Sequence, residues 1–262
     1  MKILELKTIQ CTVFKTLFEA LKDILIDVNM EFSNESICIV KMDISHTVLV
    51  NLELDSSKFE HYKCDYTKEN PLVLGVNIFY LFKLLKTLNN DDILSFFVDD
   101  DTPGCLEIQL QNNAKSKVTK YMLNLIEIDE ETLEMPDTEF DTIITYNATE
   151  FQKIVKDMTN LQSKTIEIQS YNRQLTFRCT GDFASQETII GEATDDIKFN
   201  KYTDIIIQGC YSSKNLLSFT KCTNLCGNIK MYFKNDYPLI IRYEAGNLGH
   251  IKLMVAPKSS NE

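Results

Sequence analysis

The chain has 262 residues, with 38 acidic against 27 basic side chains, a formal net charge of −11, 44% hydrophobic and 25% charged residues. That is enough apolar material for one large or two ordinary globular cores. It contains no run of about 18 uncharged apolar residues that would cross a membrane as a helix, and its charge has the wrong sign for a general nucleic-acid binder.

A strand is predicted at Lys2–Lys7, then a helix over Gln10–Ile24 with Val13, Phe14, Leu17, Leu21 and Ile24 on one stripe. Strands follow at Ser36–Lys41 and Thr47–Leu54, and a second helix over Val76–Asn89 carries Ile78, Leu81, Phe82, Leu85 and Leu88. Strands at Ile93–Val98, Leu106–Gln111 and Tyr121–Ile126 close the first half. The connector IEIDEETLEMPDTEFD follows; from Glu127 to Asp141 eight of fifteen residues are acidic and none is basic. Such a run is a solvated surface segment, but Ile128, Leu133, Met135 and Pro136 give it an apolar side that a pure linker has no use for.

The second half repeats the order. A strand at Thr142–Tyr146 leads to a helix over Ala148–Gln162, where Thr149 followed by Glu150 suits a helix start. Strands at Thr165–Gln169, Gln174–Cys179 and Asp204–Gln208 come next, then a helix over Ser212–Leu225 and strands at Gly227–Phe233, Leu239–Tyr243 and His250–Val255. Helix one to helix two spans about 65 residues, as does helix three to helix four, which predicts an internal repeat. The organisation is read as residues 1–126, a connector at 127–141, residues 142–258 and a tail at 259–262.

Each helix carries two lysines: Lys15 and Lys22, Lys83 and Lys86, Lys153 and Lys156, Lys214 and Lys221. Spacings of three or seven bring both ammonium groups of a pair to one face. The four helices together are +4, which leaves −15 for the rest of the chain. Cations concentrated on one kind of element predict a surface for nucleic-acid phosphates that does not read sequence. The lysines are read as point charges with no aromatic platform beside them.

In KMDISHTVLVNLEL, residues 41–54, an Asp, a Ser and a His within four residues resemble the start of an active site. No partner motif supports it: the chain lacks G-x-x-x-x-G-K-[ST], G-x-S-x-G, H-E-x-x-H and G-x-G-x-x-G. Asp43 and Ser45 are read as turn formers. Asp99, Asp100 and Asp101 precede Pro103-Gly104 as a turn, and His61 and His250 have no acid or nucleophile at motif spacing. Eight cysteines without a C-x-x-C pair are read as reduced thiols, not a zinc site. The opening MKILELKTIQ carries charges where a secretory signal needs an apolar core. No catalytic residue, metal or cofactor is expected.

The segments LFEALKDIL (17–25), MDISHTVLVNLEL (42–54), FEHYKCD (59–65), LGVNIFYLFKLLK (74–86), LIEIDEETLEMPDTEF (125–140), EFQKIVKDM (150–158) and GHIKLMVAPK (249–258) run in the order of one family. The chain resembles the proliferating cell nuclear antigen family, the eukaryotic DNA sliding clamps. The resemblance implies an α+β DNA-clamp fold: two similar domains per subunit, four inner helices, outer antiparallel sheets, and ring formation, usually by three subunits. The function implied is that of a polymerase processivity factor that encircles duplex DNA, is not an enzyme, and is opened by an ATP-dependent loader. The alternative is a subunit of a heteromeric checkpoint-type clamp; a divergent nuclease or other enzyme is a further one, from another class.

Carried over by position, DNA-facing residues are Lys15, Lys22, Lys83, Lys86, Lys153, Lys156, Lys214 and Lys221, with Thr16 and Asn160 departing from basic or polar residues of the family. A pocket for short peptides carried by polymerases and other replication proteins maps to Met42, His46, Leu49, Leu133, Met135, Pro136, Pro238, Met254, Ala256 and Pro257. Met254 stands where an aromatic is common, and a methionine-rich pocket is deformable. Subunit contacts map to edge strands Val118–Asn124 and Ser185–Ala193, with Tyr121, Leu123, Ile189 and Ile190 as the apolar part. The loop SYNRQ has Asn172 where the family carries a modified lysine. The departures point to a viral or divergent protist member, and localisation to the nucleus or, for a virus, a cytoplasmic replication site.

Overall fold

The computed structural model describes residues 1–112, 114–129, 133, 138–192 and 196–258. The first half runs β1 (Lys2–Thr8), α1 (Cys11–Leu21), β2 (Asp27–Phe32), β3 (Ser36–Met42), β4 (Val48–Asp55), β5 (His61–Cys64), β6 (Leu72–Asn77), α2 (Ile78–Leu85), β7 (Ile93–Asp99), β8 (Cys105–Asn112) and β9 (Lys117–Asn124). The second runs β10 (Thr142–Asn147), α3 (Ala148–Asn160), β11 (Thr165–Tyr171), β12 (Gln174–Thr180), β13 (Ser185–Gly191), β14 (Ile197–Lys201), β15 (Ile207–Ser212), α4 (Ser213–Phe219), β16 (Asn228–Phe233), β17 (Leu239–Ala245) and β18 (Gly249–Val255). The two halves have the same succession, strand for strand and helix for helix.

The chain divides into two compact units. The first holds Met1–Lys41, Asn51–Leu133 and Ala245–Ile251; the second holds Met42–Val50, Glu134–Glu244 and Lys252–Glu262. In the first unit one sheet has the order β5-β1-β7-β8-β9, and β6-β2-β3 continue into Asn51–Asp55 of β4 and the start of β18. In the second, one sheet has the order β13-β12-β11-β15, and β14-β10-β16-β17 continue into the end of β18 and Val48–Val50 of β4. The repeat therefore extends to topology: β14-β10-β16-β17-β18 copies β5-β1-β7-β8-β9, and β15-β11-β12-β13 copies β6-β2-β3-β4.

Alternation fills both cores. β1 buries Leu4, Leu6 and Thr8, β10 buries Thr142, Ile144 and Tyr146, and intervening side chains face outward. The helix stripes bury Phe14, Leu17, Phe18 and Leu21 on α1 and Phe151, Ile154, Val155 and Met158 on α3. Phe14 packs edge-on against Phe96 at 5.9 Å, and Phe151 lies 6.3 Å from Phe177. Each such buried side chain contributes about 1.5–3 kcal/mol of apolar transfer. In the first unit α1 packs on α2, and in the second α3 packs on α4. Burial also pushes the thiol of Cys11 up to about 11 and that of Cys222 up to about 12, so both remain neutral core groups.

Three helices start from a strand whose last residue is the cap. Asn77 accepts the Tyr80 amide at 3.1 Å, Asn147 accepts those of Thr149 and Glu150 at 2.9 and 3.1 Å, and Ser212 that of Asn215 at 3.5 Å. Asn147, not Thr149, therefore starts α3. All four predicted helices outrun the observed ones: α1 ends at Leu21, before Ile24 of its stripe, and α3 at Asn160, two residues before the predicted end. α2 ends at Leu85, where the Thr87 hydroxyl turns back to the Leu84 carbonyl at 2.7 Å. The fourth splits into α4 and a 3-10 turn at Thr220–Leu225, where Thr220 and Thr223 hydroxyls bond the Leu217 and Thr220 carbonyls at 2.7 and 2.6 Å.

The connector begins as part of the first unit. Ile126 donates its amide to the Gly75 carbonyl at 2.9 Å, and Asn29 donates from Nδ2 to the Ile128 carbonyl at 3.2 Å. The approach requires glycine: a Cβ on Gly75 would stand 2.0 Å from the Ile126 oxygen.

Candidate nucleic-acid and partner surfaces

Seven of the eight predicted lysines lie on α1 to α4 or on the residues that end them, and Lys221 lies on the 3-10 turn that follows α4. Lys83, Lys86, Lys153, Lys156, Lys214 and Lys221 are exposed. Lys15 and Lys22 are half-buried: Lys15 Nζ lies 3.5 Å from the Leu88 carbonyl, and Lys22 pairs with Asp23 at 2.8 Å. Among the described residues, Lys86, Lys153, Lys156 and Lys214 make no ion pair or hydrogen bond with their side chains, so their ammonium groups face water. Lys83 contradicts the expectation of bare point charges. Its Nζ lies 4.4 Å from the Phe79 ring centroid and 5.8 Å from that of Tyr80, both rings being exposed.

The corner before β4 is built by one carboxylate. Asp43 accepts the backbone amides of Val48 at 2.7 Å, Thr47 at 2.8 Å and Ser45 at 3.4 Å, together with the Ser45 hydroxyl. Burial pushes the Asp43 carboxyl up, but the bonds from Ser45, Val48 and Thr47 outweigh it and hold the group below the usual carboxylate range. His46 has a left-handed backbone, φ 53°, and an exposed ring. Among the described residues no hydrogen bond links its imidazole to Ser45 or Asp43. Asp43, Ser45 and His46 thus shape a turn and do not form a relay.

That corner is stitched to the C-terminal segment inside the second unit. Ala256 donates to the Thr47 carbonyl at 3.0 Å, Lys258 to the Cys210 carbonyl at 2.7 Å, and Asn215 Nδ2 to Thr47 Oγ1 at 3.3 Å. Beside it opens a groove of 790 Å³ lined by Cys210, Tyr211, Tyr237, Pro257 and Lys258 among others. Tyr237 is fixed by the Thr138 hydroxyl, which donates to its oxygen at 3.0 Å, and by Phe140, whose ring lies 5.6 Å away.

Of the predicted pocket residues, Met42, His46, Leu49, Pro238, Met254, Ala256 and Pro257 fall in this unit. Met42, Leu49 and Pro238 are half-buried, His46, Ala256 and Pro257 exposed, and Met254 buried. Leu133 is exposed and belongs to the first unit; Met135 and Pro136 lie outside the described residues. Cys210, Tyr211 and Tyr237 were not anticipated. The strand expected at Asp204–Gln208 starts instead at Ile207 and carries Cys210 and Tyr211, while Ile205 and Ile206 stay exposed.

β9 and β13 are edge strands, each with one neighbour. Tyr121, Leu123 and Ile190 are half-buried and Ile189 is exposed. Val118 and Met122, which the sequence reading left out, are 52% and 57% exposed on β9. His250, which has no acid at motif spacing in the sequence, stands 3.9 Å from Glu53 in the fold.

The geometry has relatives over its whole length. The family model for the proliferating cell nuclear antigen N-terminal domain matches residues 3–133, and that for its C-terminal domain matches residues 134–258. The chain belongs to the proliferating cell nuclear antigen family. It is 38% identical over 261 residues, 97% of each chain, to a "Probable DNA polymerase sliding clamp 1" of Paramecium bursaria Chlorella virus 1. It is 29% identical over 264 residues, 99% of this chain and all of the other, to the "Proliferating cell nuclear antigen" of Chaetomium thermophilum. The crystal structure of the Entamoeba histolytica proliferating cellular nuclear antigen superposes with a TM-score of 0.88 at 28% identity, covering 99% of this chain and 100% of that one. Family membership gives the four helices and antiparallel sheets described above the DNA-clamp fold.

Proposed function

We propose that the chain is a DNA polymerase processivity factor: a sliding clamp that closes head to tail into a ring, holds duplex DNA without reading its sequence, and tethers replication and repair proteins. The repeat carries this reading. β4 and β18 are neighbours in the sheet order, and their copies in the other half are β13 and β9. Those copies each end a sheet without that neighbour, so β9 of one subunit has a ready partner in β13 of the next. Exposed lysines on α2, α3 and α4 supply the phosphate-facing charge in an otherwise acidic chain, and contacts to phosphates carry no sequence information, which suits sliding. Retention on DNA would come from ring closure and not from tight contacts.

In this reading polymerase peptides seat on the second unit beside Met42, Leu49 and Pro257, with Leu133, Met135 and Pro136 of the connector as the remaining members. A homotrimer, an ATP-driven loader, and work in the nucleus or at a viral replication site complete the proposal. The test is a primer-extension assay on a singly primed circular template with native mass measured alongside. Longer products that depend on the chain, from a three-subunit species, support it. A single-chain species without effect on product length contradicts it.

A further inference from the structure

Phe79 and Tyr80 serve no core. α2 buries Ile78, Leu81, Phe82 and Leu85, while Phe79 and Tyr80 remain 47% and 57% exposed with ring centroids 6.0 Å apart. Lys83 leans over both, at 4.4 and 5.8 Å from the two centroids. Phe79, Lys83 and Lys86 stand at i, i+4 and i+7, one face of the helix. The helix start is fixed by the Asn77 cap and by the Ile78 amide on the Ile26 carbonyl at 2.8 Å, and Ile26 is itself 52% exposed. A rigid first turn therefore presents two π faces flanked by cations.

Phosphates alone give such rings nothing to do. The faces of duplex bases are covered by their neighbours, whereas those of unpaired bases are open, and aromatic rings beside cations are how single strands are held without sequence preference. The two rings are tilted by 52° to each other. Adjacent bases of a flexible strand can each meet one ring; a stiff duplex cannot. The geometry points to a single-strand-binding platform at Phe79, Tyr80 and Lys83, on which unpaired DNA bases stack while Lys83 and Lys86 meet the flanking phosphates. The inference rests on the sliding-clamp reading only in taking α2 to face nucleic acid, and it adds a second DNA form that the chain distinguishes.

The test is fluorescence anisotropy of the full chain with labelled oligothymidylate and with a blunt duplex of equal phosphate number, over a range of salt. In Phe79→Ala with Tyr80→Ala, single-strand affinity falls on the order of tenfold or more, duplex affinity is unchanged, and the salt slopes stay as in the wild type because the lysines remain. Phe79→Leu with Tyr80→Leu, which keeps apolar surface but removes the π faces, gives the same loss. Equal losses on both DNA forms, no loss on the single strand, or a changed native mass, which would make the rings a contact between copies, each overturn the platform. A wild type that binds no single strand overturns the platform whether or not it binds the duplex, and leaves the clamp reading to primer extension, because retention by a closed ring needs no tight contact with a linear duplex.

Discussion

Asp43 and Val48 are joined twice: the Asp43 carboxylate accepts the Val48 amide at 2.7 Å, and the Asp43 amide donates to the Val48 carbonyl at 2.8 Å. The pair closes the corner that delivers β4, and the bonds to Thr47 and Ser45 fill the remaining carboxylate positions. Asp43→Ala is expected to cost about 1–2 kcal/mol, the range for charge-assisted bonds discounted for a half-exposed group. The sign with pH follows from the lowered carboxyl. Its contribution is present above the unfolded-state value, about 3.9, and is lost as pH falls through the lower folded value. Urea midpoints of wild type and variant should converge below about pH 4; a gap that stays constant between pH 7 and pH 3 would contradict this role.

The helices were legible because a 3.6-residue period survives in any amphipathic segment, and their lysines follow from the same period. The ends were less so. Thr87, Thr220 and Thr223 redirect backbone carbonyls through their hydroxyls, an effect that an apolar stripe does not report. β2, β6 and β14, of five or six residues, were missed although β2 alternates cleanly from Asp27 to Phe32. Phe79 and Tyr80 lie off the stripe of Ile78, Leu81, Phe82 and Leu85, and the approach of Lys83 to their rings depends on side-chain rotamers that an apolar period does not report. The groove residues Cys210 and Tyr237 were invisible for a different reason: contacts between distant segments place them, the Lys258 amide on the Cys210 carbonyl and the Thr138 hydroxyl on the Tyr237 oxygen.

Gly75 offers a test of how the connector begins. Its carbonyl receives the Ile126 amide at 2.9 Å, and an added Cβ would meet the Ile126 oxygen at 2.0 Å. Gly75→Ala is expected to lower stability by about 1–3 kcal/mol, the range for forced overpacking. Hydrogen exchange at the Ile126 amide should rise with it. Unchanged protection there would show that the segment shifts without losing its bond.

Charge reversal at Lys86 and Lys156 tests the phosphate face. Both are exposed, one on each repeat. Lys86→Glu with Lys156→Glu should weaken duplex binding and flatten the dependence of log affinity on log salt by about 0.9 for each phosphate contact removed. Native mass should not change. A salt slope equal to that of the wild type would remove these lysines from the DNA surface.

Met42 and Leu49 test the partner surface. Both are half-buried at the corner held by Asp43, beside the 256–258 segment. Met42→Ala with Leu49→Ala should weaken a peptide with hydrophobic and aromatic anchors by about tenfold or more, the effect of truncating central anchors. Calorimetry at constant pH measures it. Equal affinity would place the peptide elsewhere.

Head-to-tail closure makes a prediction that no symmetric pairing shares. Leu123→Asp spoils β9, and Ile190→Asp spoils β13, by placing a charge on an edge that must pair. Each variant alone should sediment as a single chain of 30.2 kDa. Mixed, the two retain one complementary pair of edges, the intact β13 of the first and the intact β9 of the second. They should form a two-chain species and stop there, because the remaining edges are both spoiled and the ring cannot close. If β9 paired with β9 instead, the β13 variant would assemble as the wild type does, and mixing would add nothing. Sedimentation velocity on the separate and mixed variants separates the two arrangements.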